Sequence, residues 1–176
     1  MKMGTFLGGK SNNMSKEFFL SARLKEENWK KQIITPRVAA AGIVESPDRK
    51  SVLIIERKFP PYGNAFPGGM MEMGETIEET VIREVFEETG IKAEPKGILS
   101  VISDPEADPR WHVVIVYVLL RATSDNDPKS GDDAVKAFWA DINSLSLSKT
   151  LTKTCRYTLD DYIKWREKEY KLIKLQ

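Results

Sequence analysis

Residues 76–90 read Thr-Ile-Glu-Glu-Thr-Val-Ile-Arg-Glu-Val-Phe-Glu-Glu-Thr-Gly, and no other segment restricts the fold so narrowly. Thr76 with Glu79 makes a capping-box pattern and Gly90 stands where a C′ glycine belongs, so the spacing predicts a helix over Thr76–Thr89. Ile77, Val81 and Val85 recur on one stripe, which must be buried against another element, and a sheet is the expected partner. Glu84, Glu87 and Glu88 fall within roughly 100° of arc beside that stripe. Three carboxylates so close repel one another, and only Arg83 offers a nearby positive charge in the sequence. A solvated acidic helix face is one reading. The other is a divalent-cation site, because Mg²⁺ or Mn²⁺ takes oxygen ligands and supplies the missing charge.

The acidic block is local. Residues 69–91 hold seven glutamates against one arginine, whereas the 176 residues together carry 27 Lys and Arg against 26 Asp and Glu. That overall balance gives no pull toward nucleic acid or anionic lipid, and neither is an expected partner. The longest solid apolar run, Val113 to Leu120, is far short of the ~20 residues that cross a bilayer. A lone Cys155 excludes an intramolecular disulfide and favours a reducing, cytoplasmic setting. A lone His112 leaves no Cys/His zinc cluster.

Around the acidic helix the pattern is mixed. Met1–Asn13 is polar and Gly-rich and reads as a flexible lead, and Ser15–Lys31 has helical spacing of Phe18, Ala22 and Trp29. Val38–Val44 and Ser51–Arg57 read as strands joined by the turn Ser46–Lys50, a plausible hairpin. Phe59–Asn64 is a proline-bearing loop, and Gly68–Glu75 is the loop that enters the helix. Ile91–Ile102, His112–Arg121 and Val135–Ala140 read as strands, the second apolar on both faces and therefore central. Ala122–Asp133 reads as a surface loop and Thr154–Leu172 as a closing amphipathic helix. Strands interleaved with helices favour a single α/β or α+β sandwich.

The string Gly69-x5-Glu75-x7-Arg83-Glu84-Val85-Phe86-Glu87-Glu88-Thr89-Gly90-Ile91 resembles the Nudix box, G-x5-E-x7-R-E-U-x-E-E-x-G-U, where U is aliphatic or aromatic. Every fixed and every apolar position matches, and Phe66-Pro67-Gly68-Gly69 with Glu72 looks like the usual approach to the box. A looser likeness runs from about Arg37 to the final helix, so residues 36–176 are expected to form a Nudix-like catalytic domain and residues 1–35 a flexible lead with a helical extension. The resemblance implies an α/β/α sandwich with a mixed central sheet, plus that extra N-terminal helix. It implies Mg²⁺- or Mn²⁺-dependent hydrolysis of a nucleoside diphosphate linked to another moiety. Carried onto this chain, Glu84, Glu87 and Glu88 with the Gly69 carbonyl would hold the metal. Arg83 would orient the glutamates, Glu87 being its expected first partner, and Glu75 would support the site. Glu87 is the first choice for the base that takes the proton of the attacking water. Asp133, on a late loop, is the second, unless it and Asp132 are merely solvated.

Downstream, Asp104-Pro105-Glu106-Ala107-Asp108-Pro109-Arg110-Trp111-His112 resembles the marker region of ADP-ribose pyrophosphatases, with Pro105 fifteen residues past Gly90. The departures are Glu106 or Ala107 where a basic residue is common and Trp111 where glycine is common. Trp111 could stack on adenine, or narrow the pocket toward another nucleotide. Arg57, Lys58 and Arg110 are candidate phosphate ligands, and Pro105 and Trp111 candidate substrate-loop residues. The expected reaction is ADP-ribose to AMP and ribose 5-phosphate. Nucleoside triphosphates, including oxidised ones, are the alternative substrates, and a non-catalytic nucleotide sensor is the alternative role. Relatives of the ADP-ribose type are often dimers, so a homodimer is also possible.

Overall fold

A computed structural model describes residues 35–124, 126–131, 133–168 and 171–175. The anticipated helix at Ser15–Lys31 and the acidic Asp132 lie outside them.

The core is a seven-stranded mixed sheet. Its central pair is β1 (Arg37–Glu45) and β6 (Val113–Ala122), parallel and in register from Arg37↔Val113 to Glu45↔Arg121. β5 (Ala93–Ile102) runs antiparallel to β6, while β2 (Ser51–Arg57) is antiparallel to β7 (Ala134–Asp141) and to the short β3 (Asn64–Ala65). The expected hairpin of β1 and β2 exists only at its turn, with the single register pair Glu45↔Val52. Beyond it the strands part, because β1 takes β6 on one edge and β4 (Gly68–Met70) on the other. The segment Gly68–Met70, read from sequence as loop, is thus a short strand antiparallel to β1. Its glycines allow that approach: a Cβ at Gly68 would overlap the carbonyl oxygen of Ala40.

Strand alternation decides which side chain meets which layer. Ala40, Val44, Leu53, Val116, Val118 and Leu120 point to one face and pack with Val81 and Val85 of helix α1 (Ile77–Thr89). Gly42 lies under Val85, where a side chain would collide. Ala41, Ile43, Val52, Ile54, Tyr117 and Leu119 point to the other. There they meet α2 (Ile142–Leu147) and α3 (Lys153–Lys168) through Ile142, Leu145, Cys155, Leu159 and Tyr162. The architecture is the expected α/β/α sandwich.

Two ends differ from the sequence reading. Helix α2, capped by the Asp141 side chain accepting from the Ser144 amide at 2.9 Å, was not anticipated, and its single turn is too short for a periodic signal. The closing helix is described over Lys153–Lys168 and does not include Leu172, and Ile173 exchanges backbone hydrogen bonds with Ile98 (2.8 and 3.1 Å). Gly97, at φ 152°, leaves the room that Leu172 and Ile173 occupy. Among the described residues no helix is long and apolar enough to cross a membrane.

Candidate active site

Helix α1 begins and ends as its residues dictate. The Thr76 side chain accepts from the Glu79 amide while Glu79 accepts from the Thr76 amide, and Gly90 closes the helix at φ 68° with its amide on the Phe86 carbonyl. Val81 and Val85 hold the helix to the sheet, so its carboxylates stand beside β4. Gly69 marks the closest approach: a Cβ there would fall on the carboxylate of Glu84.

Arg83 organises the acidic residues. Its Nε donates to Glu75 at 2.7 Å, Nη2 to Glu75 at 3.0 Å and to the Met70 carbonyl at 3.1 Å, and Nη1 to Glu84 at 2.7 Å and Glu87 at 3.2 Å. Glu87, expected as the first partner, is therefore the most distant of the three glutamates and the most exposed. The reason is reach: Glu75, eight residues away and at the helix entrance, can take two guanidinium nitrogens side by side. Glu75 also accepts from the Glu72 amide and the Thr80 hydroxyl. The Arg83 hydrogen bonds hold its carboxyl down at about 2.

Glu84 and Glu88 sit deeper. Burial raises the proton affinity of Glu84 although Arg83 opposes it, with the charges of Glu87 and Glu75 adding to the rise. Glu88, 7% exposed, accepts from the Gly68 amide at 2.8 Å, and burial still pushes its carboxyl up to about 8, helped by the charges of Glu84 and Asp133. Among the described residues no three acidic, histidine or cysteine side chains converge on one point, since Glu84 and Glu87 both turn to Arg83. The side-chain donors nevertheless suit a hard divalent cation: they are carboxylate oxygens, Glu88 buried and Glu84 partly buried, beside a glycine that keeps the approach clear.

These groups form one wall of a cleft of ≈490 Å³. Gly68, Gly69, Glu84, Glu88 and Asp133 line it. Arg57, Arg110, Trp111, Arg37 and Phe59 line it as well, with Arg57 close enough to feel the charge of Glu88 and Arg110 that of Asp133. The Arg57 Nε is shielded from solvent and has no hydrogen-bond partner; Nη2 reaches the Pro60 carbonyl only at 3.4 Å. Burial lowers the proton affinity of this guanidinium, and the charge of Glu88 partly restores it. Arg110 is already paired with Asp108 (3.0 and 2.8 Å). Trp111, 47% exposed, lies under the Arg37 guanidinium at 3.8 Å. Lys58 and Pro105 do not line the cleft, and Pro105 is exposed on its loop. Glu75, Arg83 and Glu87 stand behind or beside the lining rather than in it. Sequence reasoning missed the Arg37–Trp111 stack and Asp108. The two residues of the stack are 74 positions apart and become neighbours only through the pairing of Arg37 with Val113.

Asp133 enters from a loop docked on the end of α1. The Gly131 amide donates to the Glu88 carbonyl and the Lys129 amide to the Thr89 carbonyl, each at 2.9 Å. A Cβ at Gly131 would overlap the Glu87 carbonyl. Gly131→Ala is expected to displace this loop and lower kcat by about tenfold or more while Tm falls only slightly, because the loop buries little apolar surface. Steady-state kinetics with a thermal melt checks it.

Comparison with known proteins gives a consistent picture. A family model described as NUDIX domain matches residues 35–162. The chain is 37% identical over 147 residues to the ADP-ribose pyrophosphatase of Methanocaldococcus jannaschii, covering 81% of this chain and 83% of that protein. It is 30% identical over 125 residues to nucleoside diphosphate-linked moiety X motif 6 of Mus musculus, covering 67% of this chain and 39% of that protein. A crystal structure of a NUDIX hydrolase from Nitrosomonas europaea superposes with a TM-score of 0.66 at 20% identity, over 82% of this chain and 79% of that one.

Proposed function

Because the chain belongs to the Nudix family and is a Nudix hydrolase, we propose that its substrate is ADP-ribose, cleaved at the diphosphate to AMP and ribose 5-phosphate. The observation that carries this reading is the 37% identity to an ADP-ribose pyrophosphatase over most of both chains. The cleft is of a size for a nucleoside diphosphate sugar and is lined by both carboxylates and guanidinium groups.

Glu84, Glu87 and Glu88 with the Gly69 carbonyl would hold Mg²⁺ or Mn²⁺. Such an ion, when bound, neutralises diphosphate oxygens and lowers the pKa of a water. The remaining work falls to the chain. Arg83 keeps Glu84 and Glu87 turned toward each other, and Glu75 keeps Arg83 in place. Arg57, whose side chain lines the cleft, binds a phosphate oxygen. Trp111 offers an aromatic face for adenine, with Arg37 on its other side. Water attacks phosphorus, the new P–O bond forms as the anhydride P–O bond breaks, and a carboxylate takes the water's proton. Glu87 and Asp133 are the two groups for that proton. Glu87 is already spent on Arg83, whereas Asp133 lines the cleft beside Glu88. The cytoplasm is the expected setting, with no nucleic-acid partner.

A panel of nucleoside diphosphate sugars, dinucleotides and nucleoside triphosphates, with products weighed by mass spectrometry, tests the substrate. AMP with ribose 5-phosphate supports it; a nucleoside monophosphate with pyrophosphate overturns it. Asp133→Asn should lower kcat by about a hundredfold with KM little changed, and an unchanged kcat would return the role to Glu87.

A further inference from the structure

A second cavity, of ≈300 Å³, lies at the other end of the sheet and takes no part in the proposed reaction. Arg49, Lys96, Arg121 and Arg166 line it, together with Trp165 and Leu172. The cations arrive from four places: the turn after β1, strand β5, strand β6 and helix α3. It stands beside Glu45, five residues along β1 from the Ala40 that pairs with Gly69, roughly 16 Å away.

Charge here is not balanced by the described residues. Glu45 is fully buried and serves two arginines at once, Arg49 and Arg121, each at 3.3 Å, while also accepting from the Tyr162 hydroxyl at 2.8 Å. Glu94 is bonded to Lys96 at 2.9 Å. Arg166 spends Nη1 on the Arg49 carbonyl and the Tyr162 hydroxyl, neither of which carries a negative charge. Two carboxylates thus answer four cations. The Arg121 side chain is 42% exposed and lines the cavity, so its guanidinium has room for a further acceptor. Arg49 adopts φ 61°, a conformation that favours glycine, so the turn carries a long cation where a small residue fits with less strain. Trp165 supplies a different chemistry, a half-buried indole stacked on Tyr162 at 6.1 Å and nearly parallel to it.

Convergent cations select phosphate oxygens, and a rigidly backed indole selects a flat ring. We propose that this cavity is a second binding site for a nucleoside phosphate, with its phosphate on Arg121, Arg166 and Lys96 and its base against Trp165. The inference does not depend on the substrate of the cleft.

The test reads the Trp165 indole N–H by NMR in the full chain with chelator present, the resonance being identified through Trp165→Phe. AMP is expected to move it saturably at submillimolar concentration, with inorganic phosphate and adenosine each binding at least about tenfold more weakly. Lys96→Gln, at an exposed residue outside the cleft, should weaken AMP at this site by about tenfold and leave hydrolysis unchanged. Arg166→Gln serves as a second variant. A Trp165 signal indifferent to millimolar AMP overturns the proposal. So does an AMP affinity that adenosine or phosphate alone equals, or that survives both substitutions.

Discussion

Glu84→Gln is expected to lower kcat by about a hundredfold or more with a Tm equal to or above that of the parent protein. The substitution is nearly isosteric. The amide oxygen can still accept from Arg83 Nη1, which lies 2.7 Å from the carboxylate, so the packing against Gly69 survives. What disappears is a buried negative charge whose proton affinity burial has already raised. Without a cation that charge is a liability, and removing it costs the fold nothing. In the function proposed above it would be a metal ligand, and its loss would remove charge needed at the diphosphate. Kinetics alongside calorimetry separates the two effects. A variant that stays active but melts much lower would make Glu84 a packing residue. Arg83→Lys should not mimic the parent either, because one ammonium cannot serve Glu75, Glu84, Glu87 and the Met70 carbonyl in a plane.

The second large effect is a pH dependence of the metal-free protein. The Glu88 carboxyl is pushed up to about 8 in the fold, from the 4.5 of an open chain. Between these values the folded chain holds a proton that the unfolded chain has lost, so stability must fall as pH rises. The contribution of protonated Glu88 is complete below about pH 4.5 and gone once the pH passes about 8, a loss on the order of a few kcal/mol. With Glu88 as a ligand in the proposed site, Mg²⁺ or Mn²⁺ would take the ionised form, so the metal is expected to raise Tm strongly near pH 9 and hardly at pH 5. Glu88→Gln should flatten both the pH and the metal dependence. Melting curves at several pH values with and without metal check this. A parent protein equally stable at pH 5 and pH 9 in chelator, and unmoved by metal, would contradict it.

How much of this was readable in advance varies with sequence distance. Helix α1, its capping box, its terminal glycine and its apolar and acidic faces all follow from contacts within four residues, and all were legible. The strands were legible as segments, because alternation and β-branched content are local, but their partners were not. Nothing in Val38–Val44 announces that it pairs in parallel with Val113–Ala122, or that Gly68–Met70 is a strand at all. The hairpin forms only at its mouth, because a turn specifies its own first pair, while further along β4 takes that edge of β1. Arg83 shows the same limit inside the site. Helical spacing favours Glu87, but Glu75, across the helix entrance, takes the closer bonds.

The residues of the chain alone carried the chemistry type: an acidic helix with a buried stripe, glycines before it, and a charge pattern that calls for a cation. These depend on covalent neighbours and the 3.6-residue turn, which act before any distant contact forms. The tertiary fold decided which basic and aromatic groups face that helix. Arg57, Arg110, Trp111 and Arg37 reach the cleft from separate strands and loops, and Asp133 reaches it because Gly131 lets its loop lie against α1. Strand pairing and close packing set those positions, and each depends on residues too far apart in the chain for any local pattern to reveal.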